Sequence, residues 1–556
     1  MTSFNVSSSK VAAAAAKHPR VHTRYFGYGT AGFRYPADLL DSIVFRAGLV
    51  AVLRSLALNG KQIGVMITAS HNPSRDNGVK LVEPLGEMLV QKWEKHAELV
   101  ANATDDTDAL VAALKDVISA EGISSNKKAS IAVARDTRPS GVALTQAIKD
   151  AAEAFDGVDG VTVEVVDHEL MTTPQLHYVV RATNTAGTAD AYGVPTANGY
   201  YQKIGDAFKT LMAGHKQSSQ IVVDCANGIG APALRAFADY VGQDVLNVRI
   251  INDNTSDPAI LNAKCGADHV KTQQTYPAGL DAQVGERYCA FDGDADRLVY
   301  FYRNEKDGFK LLDGDNIATL TALFIGDLVR AAGLGKELQV GAVQTAYANG
   351  SSTKFIIEEL GLNVTCTATG VKHLHHAAEN YDIGVYFEAN GHGTVLFSDK
   401  ARKAVSTQSG SATKEQEEAR VTLRNVVEVI NQAVGDALSD MLVVEAALAH
   451  KGWTLEDWDA LYANLPNKLQ KVVVSDRTAF TTTDAERKLV TPSGMQALID
   501  AEVAKVSQGR SFVRPSGTED VVRVYAEAAT KEEVDQLSLA VSRAVFKNGG
   551  GVGQCP

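Results

Sequence analysis

Ile63–Gly78 reads IGVMI followed at once by TASHNPSRDNG: a short apolar run ends abruptly in a polar loop rich in turn-forming residues. Four more stretches share that layout. They are IAVA then RDTRPSG (Ile131–Gly141), IVVD then CANGIGA (Ile221–Ala231), YCAF then DGDADR (Tyr288–Arg297), and IGVYF then EANGHG (Ile383–Gly393). Helix-like stretches alternate with the apolar, β-branched ones over the first three quarters, the signature of an α/β protein. In open α/β sheets ligands bind beyond the carboxyl ends of the strands. These loops are therefore the first places to look for chemistry.

A chain of 556 residues exceeds one ordinary domain. Boundaries near residues 195, 308 and 445 divide it into 1–195, 196–308, 309–445 and 446–556. The last part mixes helix-like pattern with VVVSDRTAF (Val472–Phe480) and VVRVYAEAA (Val521–Ala529), which reads as a smaller α+β domain. The segment 400–422 is polar and poor in aliphatics, which predicts an exposed excursion. The tail NGGGVGQCP predicts a frayed end. The serine- and alanine-rich start, with few basic residues, reads as a helix over SKVAAAAAKHPR rather than as a transit peptide.

Hydrophobic residues make up 45% of the chain, enough for sizeable cores. No apolar run approaches the roughly 20 residues a membrane span needs. A net charge of −12 argues against nucleic acid and against a polybasic membrane surface. It leaves room for an anionic small substrate held by a few local cations. The five cysteines are scattered without a CxxC pair, which suits a reducing compartment and marks neither a disulfide framework nor a zinc site.

In TASHNP, Ser70 after an apolar run is a candidate nucleophile, while Asn72-Pro73 alone asks for no more than a turn. DGDADR supplies Asp292, Asp294 and Asp296 at alternate positions, which on an extended segment face one side. Three crowded carboxylates repel unless a cation sits among them, and hard oxygen ligands suit magnesium. An EF-hand loop is excluded, because its glycine and glutamate positions hold Arg297 and Arg303. A solvated acidic turn fits less well between the apolar flanks YCAF and LVYFY. RPSGTED, Arg514–Asp520, offers backbone N–H groups as an anion nest, with Arg514 and Arg523 as fork-shaped phosphate donors. The alternative there is a charged surface turn. EANGHG presents Glu388, Asn390 and His392, donors and acceptors suited to sugar hydroxyls, although Asn-Gly by itself signals only a turn. GYGTAG fits GxGxxG but lacks a preceding strand and an acid about 20 residues on, so a dinucleotide site is not expected. His373, His375 and His376 have no carboxylate or cysteine to complete a metal set, and read as a polar entry to a helix.

Taken together and in this order, the loops resemble those of the α-D-phosphohexomutase superfamily. Its phosphoserine loop, D-G-D-x-D-R metal loop, sugar loop and C-terminal phosphate loop all have counterparts here, spread over nearly the whole chain. Relatives acting on glucose or mannose phosphates commonly carry serine where this chain has Asn390. That loop, with YGTAGFR, ITASHNP and TGVKHLHH, is similar to the branch acting on N-acetylglucosamine phosphates. The resemblance implies three α/β domains with mixed sheets and a C-terminal α+β domain around a central cleft. It implies a cytoplasmic isomerase, a monomer or weak dimer, that interconverts the 6- and 1-phosphates of the acetylated sugar through phosphoserine and a 1,6-bisphosphate, with magnesium as cofactor. The 1-phosphate would feed UDP-N-acetylglucosamine synthesis. Residue by residue, Ser70 matches the phosphoserine, and Asp292, Asp294 and Asp296 match its metal partners. Arg34, His71, Lys80 and Arg297 match positions around the moving phosphoryl group, with Lys80 and His71 both open as the base. Glu388, Asn390 and His392 match the sugar loop. Thr369, Gly370, Lys372 and His373 fall in a further specificity loop. Arg514, Ser516, Gly517, Thr518 and Arg523 match the site for the phosphate that is not transferred.

Overall fold

A computed structural model describes residues 4–407, 412–516 and 521–556. The chain forms two compact units, one running to Asp313 and including Asn425–Gly452, the other made of Gly314–Arg424 and Trp453–Pro556.

The first unit carries two five-stranded mixed sheets. Strands β1 (Phe33–Pro36), β2 (Gln62–Ile67), β3 (Asp76–Val82), β4 (Lys128–Arg135) and β5 (Thr162–Leu170) lie in the order β1-β3-β2-β4-β5. β2, β4 and β5 run parallel, and β3 is antiparallel to both of its neighbours. β2 is buried along its whole length, which is why IGVMI reads as a continuous apolar run rather than an alternation. Helix Asp41–Ala57 is buried on nearly every side and correspondingly apolar all round. Its Arg46 is satisfied by donating to the carbonyls of Ala101, Ala103 and Thr104. The second sheet holds β6 (Ile221–Asp224), β7 (Val248–Ile251), β8 (Arg287–Phe291), β9 (Leu298–Asn304) and β10 (Gly308–Leu312), ordered β10-β9-β8-β6-β7.

The second unit contains β11 (Val340–Thr345), β12 (Asn363–Thr367), β13 (Ile383–Phe387) and β14 (Gly393–Phe397), ordered β12-β11-β13-β14. Its remaining strands are β15 (Asn467–Val473), β16 (Thr481–Thr483), β17 (Lys488–Thr491), β18 (Arg510–Pro515) and β19 (Val521–Glu527). They form the antiparallel sheet β15-β19-β18 and the hairpin β16-β17, covered by helix Lys531–Asn548. The three mixed sheets and the antiparallel α+β part are the classes the sequence predicts.

Two local expectations are corrected, those for the tail and for DGDADR. The described residues of the polar 400–422 segment are mostly exposed or half-buried, as expected, and largely helical. Helix Asp399–Ser406 is capped by Ser398 and buries Ala401 and Val405, and a second helix covers Lys414–Val429. Widely spaced apolar residues suffice for a helix that covers only one narrow stripe. The tail is tied down through Val552, whose N–H donates to Val473 O at 2.9 Å, while Gly550 O accepts from Ser475 N. Backbone pairing with the strand end does there what side chains do elsewhere. The aspartates of DGDADR lie on a turn, not an extended segment, as described below. The serine- and alanine-rich start is helical over Ser8–Ala15, with Val11 and Ala14 buried. Among the described residues no helix is long and apolar enough to cross a membrane.

The approach of two loops in the first unit depends on glycine. A Cβ on Gly228 would lie 2.3 Å from Gly293 O and 2.8 Å from its Cα. Gly228→Ala is therefore expected to lower stability by about 1–3 kcal/mol, the usual cost of overpacking, and to reduce activity by displacing the aspartate loop. Denaturant unfolding and a turnover assay check this together.

Candidate active site

Ser70 follows β2 in a left-handed backbone conformation, φ 50°, which costs a non-glycine residue of order 1–3 kcal/mol. The loop is held by an unusual number of partners. Ser70 N donates to Thr68 Oγ1 at 3.0 Å, and Thr68 Oγ1 donates to Asp136 Oδ2 at 2.6 Å. Arg138, fully buried, pairs through Nη1 with Asp136 and donates from Nη2 to Ser70 O (3.0 Å) and Asn72 O (2.6 Å). Its Nε donates to Asp76 O at 2.9 Å. Asn262, from the second sheet's side of the unit, donates its amide to the same two carbonyls at 2.9 and 3.0 Å. Charge-assisted bonds such as those of Arg138 contribute about 1.5–3 kcal/mol each, enough to offset the strain.

DGDADR links the antiparallel strands β8 and β9, whose last pair is Phe291 with Leu298. It is a turn in which Ala295 is left-handed, φ 59°. Asp292 Oδ1 accepts from the backbone N–H groups of Asp296 (3.0 Å) and Arg297 (3.2 Å), so the first acid organises the turn. Wrapping rather than alternation makes the three acids converge, with one oxygen of each within 4.8 Å of the others. All three are buried. A neighbouring helix supports them from outside. Thr173–Thr185 opens with a capping box between Thr172 and Gln175 and has Pro174 in its first turn. This fixes Thr173, whose hydroxyl donates to Asp294 Oδ2 at 2.6 Å.

Ser70 and the acids meet directly: Ser70 Oγ donates to Asp292 Oδ2 at 2.6 Å. Lys80, on β3, places Nζ 3.5 Å from Asp294 and 3.3 Å from Asp296. Arg297 Nε lies 3.8 Å from carboxylate oxygens of both Asp292 and Asp296. Arg34, on β1, reaches Asn72 Oδ1 at 3.5 Å. Burial, then the charges of Asp296 and Asp294, push the Asp292 carboxyl well above its usual range. Burial, then Arg297 and Arg34, push the His71 imidazole down to about 2, so it is neutral at physiological pH. Asp294 Oδ1 is buried and accepts no hydrogen bond. Three hard carboxylate oxygens, one of them unsatisfied, fit a magnesium ion.

The second unit holds the other predicted residues on three loops. Glu388–His392 joins β13 to β14, with Glu388 N donating to His392 O (2.9 Å) and Gly391 N to Glu388 O (2.8 Å). Asn390 spans the loop, donating to Glu388 Oε2 at 3.3 Å and accepting from His392 N at 2.9 Å. Thr369 and Gly370 precede helix Val371–Ala378, and Lys372 and His373 sit in its first turn. The helix separates the three histidines. His373 and His376 are exposed, and His375 is buried with Nδ1 3.0 Å from the Tyr386 hydroxyl. Arg514 and Arg523 are cross-strand partners on β18 and β19, and Ser516 N donates to Val521 O at 2.9 Å. Gly517 and Thr518 lie outside the described residues.

Sequence reasoning assigned nothing to Arg138, Asp136, Asn262, Thr173 or Glu486. RDTRPSG, a polar loop directly after an apolar run, carries a signal for the first two. Asn262 and Glu486 sit in stretches with no motif, and they matter only through partners far away in sequence.

The chain matches known proteins over nearly its whole length. Residues 190–299 and 313–453 match phosphoacetylglucosamine mutase AMG1, domains II and III, respectively. Residues 49–196 match the alpha/beta/alpha domain I, and residues 469–544 the C-terminal domain, of phosphoglucomutase/phosphomannomutase. The human phosphoacetylglucosamine mutase is 49% identical over 98% of both chains. The chain belongs to the phosphoacetylglucosamine mutase family. An Aspergillus fumigatus N-acetylphosphoglucosamine mutase, solved with GlcNAc-6P and magnesium, superposes with a TM-score of 0.93 at 49% identity, covering 98% of this chain and all of that one. A variant of the Aspergillus enzyme, solved with glucose 1,6-bisphosphate, superposes with a TM-score of 0.91, also at 49% identity, covering 98% of this chain and 99% of that one.

Two outcomes test the geometry. Magnesium is expected to raise the first unit's apparent unfolding midpoint by about 2–4 °C at saturation, and Asp294→Ala to abolish that rise, both read by thermal melts with and without chelator. Arg138→Ala, which leaves Asp136 buried without its cation, is expected to destabilise by about 3–5 kcal/mol, measured by denaturant titration.

Proposed function

We propose that this chain interconverts N-acetylglucosamine 6-phosphate and N-acetylglucosamine 1-phosphate through a phosphorylated Ser70. The observation that carries the reading is the 2.6 Å contact between Ser70 Oγ and Asp292 inside a cluster of three buried carboxylates. A hydroxyl so placed is poorly suited to a hydrolase triad. It is well suited to carry a phosphoryl group whose charge must be shared with a divalent cation. The Aspergillus complexes with GlcNAc-6P and magnesium, and with glucose 1,6-bisphosphate, support the sugar, the metal and the intermediate.

Phosphoryl transfer is mostly positioning and charge stabilisation. Asp292, Asp294, Asp296 and an oxygen on Ser70 would hold magnesium, which when bound draws charge from the phosphoryl oxygens as the serine ester loosens. Arg34, Lys80 and Arg297 add positive charge around the moving group, and Lys80 and His71 are the candidates to take the attacking hydroxyl's proton, with burial beside Arg297 and Arg34 weakening His71 as a base. The Ser70–phosphorus bond breaks as the sugar hydroxyl bonds to phosphorus, giving the 1,6-bisphosphate. After the bisphosphate turns over, Ser70 takes back the other phosphoryl group and the isomer leaves. Arg514, Ser516, Gly517, Thr518 and Arg523 hold the phosphate not being transferred. Glu388, Asn390, His392 and the Thr369–His373 loop read the sugar. We assign the four sheet-bearing parts to four domains with one such loop each. The five free cysteines suit the cytoplasm, where the product would supply UDP-N-acetylglucosamine synthesis.

Phosphorus NMR tests the reading. Protein, magnesium and a trace of sugar bisphosphate are mixed with N-acetylglucosamine 6-phosphate, and glucose 6-phosphate runs in parallel. The 1-phosphate signal is expected from the acetylated sugar, and Ser70→Ala is expected to lose at least ~10³-fold in rate. Inorganic phosphate as main product would make the protein a phosphatase, and faster conversion of glucose 6-phosphate would assign it to glucose phosphates.

A further inference from the structure

The turn between β16 and β17 contains three successive left-handed residues, none of them glycine: Asp484 (φ 53°), Ala485 (φ 54°) and Glu486 (φ 67°). Each such residue is strained, and a hairpin turn of this length is ordinarily built with glycine or asparagine. Here Arg487 holds the conformation, donating its N–H (3.1 Å) and Nε (3.0 Å) to Asp484 O and Nη2 to Asp484 Oδ1 (2.5 Å). The outcome of the strain is the direction of one side chain. Glu486 Oε2 accepts from Thr369 N at 2.9 Å and Thr369 Oγ1 at 2.6 Å. Its other oxygen lies 3.5 Å from Arg514 Nε. The two side chains of that ion pair are only 20% and 14% exposed, so solvent screens it little.

We propose that Glu486 is a positioning residue that sets the distance between the sugar-reading loop at Thr369 and the phosphate-reading Arg514. This rests on the reading that those two residues contact substrate. The chemistry of each contact favours that role. Thr369 directly precedes Gly370, the N-cap of helix Val371–Ala378, so fixing its N–H and hydroxyl fixes where the helix's first turn begins. Glu486 approaches Arg514 on its Nε edge, and the terminal nitrogens are the edge with which a guanidinium grips phosphate in bidentate fashion. A sugar bisphosphate has a stiff ring between its two phosphates, so the span it can cover is limited, and the same two loops must read it in both orientations. One carboxylate touching both loops is the simplest means of holding them at that separation.

Steady-state kinetics of Glu486→Ala and Glu486→Gln with both 6-phosphates, alongside thermal midpoints, test the proposal. For Glu486→Ala we expect KM for N-acetylglucosamine 6-phosphate to rise about tenfold with kcat nearly unchanged, and the preference for the acetylated sugar over glucose 6-phosphate to fall by about the same factor. Glu486→Gln keeps an acceptor for Thr369 but loses the charge facing Arg514. It should retain the preference while KM still rises. An unchanged KM and preference in Glu486→Ala, whatever its midpoint, would overturn the proposal. So would a KM below that of the unaltered protein, which would make Glu486 a competitor of phosphate. If the unaltered protein converts neither sugar phosphate, the mutase reading itself fails and this inference falls with it.

Discussion

Asp292, Asp294 and Asp296 are held out of water with one oxygen of each within 4.8 Å of the others, and the loops around Ser70 and Thr173 are arranged about that cluster. Isolated buried carboxylates are costly, and a cluster adds mutual repulsion. The chain answers with a ring of donors and cations. Thr173 and the turn's own N–H groups give hydrogen bonds, Lys80 and Arg297 give charge, and Ser70 gives its hydroxyl. These partners do not satisfy every oxygen, since Asp294 Oδ1 still lacks a donor. The remaining negative potential suits the cluster to a divalent cation, and Ser70 is the hydroxyl fixed next to it.

Position matters as much as charge. A nucleophile on a left-handed residue relaxes toward a commoner backbone unless its surroundings forbid it. Arg138 and Asn262 forbid it from two sides by gripping the same two carbonyls, Ser70 O and Asn72 O. Gly293 contributes by omission, because a Cβ there would lie 2.6 Å from Ser70 O. The serine loop and the acidic turn are thus fixed to each other by backbone contacts, and the Ser70–Asp292 contact does not depend on one hydrogen bond. Rigidity of this kind would serve the proposed in-line transfer, since small misplacements of reacting atoms cost large factors in rate.

How much of this was legible follows from how local each feature is. TASHNP and DGDADR declare themselves because the residues that act are adjacent in sequence and the flanking apolar runs fix them on strand ends. The fold class was legible for the same reason. The convergence of the acids was read correctly as a fact but attributed to an extended segment, because alternation is visible in sequence and the left-handed Ala295 is not. Asn262 and Glu486 were invisible: a lone polar residue gains meaning only from partners at 190 or more residues, as with Asn262 and Ser70, or at 117, as with Glu486 and Thr369. For the 400–422 segment, composition announced the solvent contact of its described residues but not their helices.

The sugar loop raises a requirement of a different kind. A bisphosphate that turns over presents its ring hydroxyls in two arrangements, so side chains that only donate or only accept would serve one of them. Asn390 both donates and accepts within its own loop, bonding Glu388 and His392, and an imidazole carries one donor and one acceptor when neutral. Glu388 supplies an acceptor on a loop pinned at its base, where Gly314 approaches so closely that a Cβ would meet Glu388 O at 1.9 Å. In the proposed reaction the first unit's fixed charges suit a place where one bond is made and broken. In that same proposal Asn390 and His392 offer side chains that can both donate and accept to a ligand arriving in two orientations, while Glu388 offers acceptors alone.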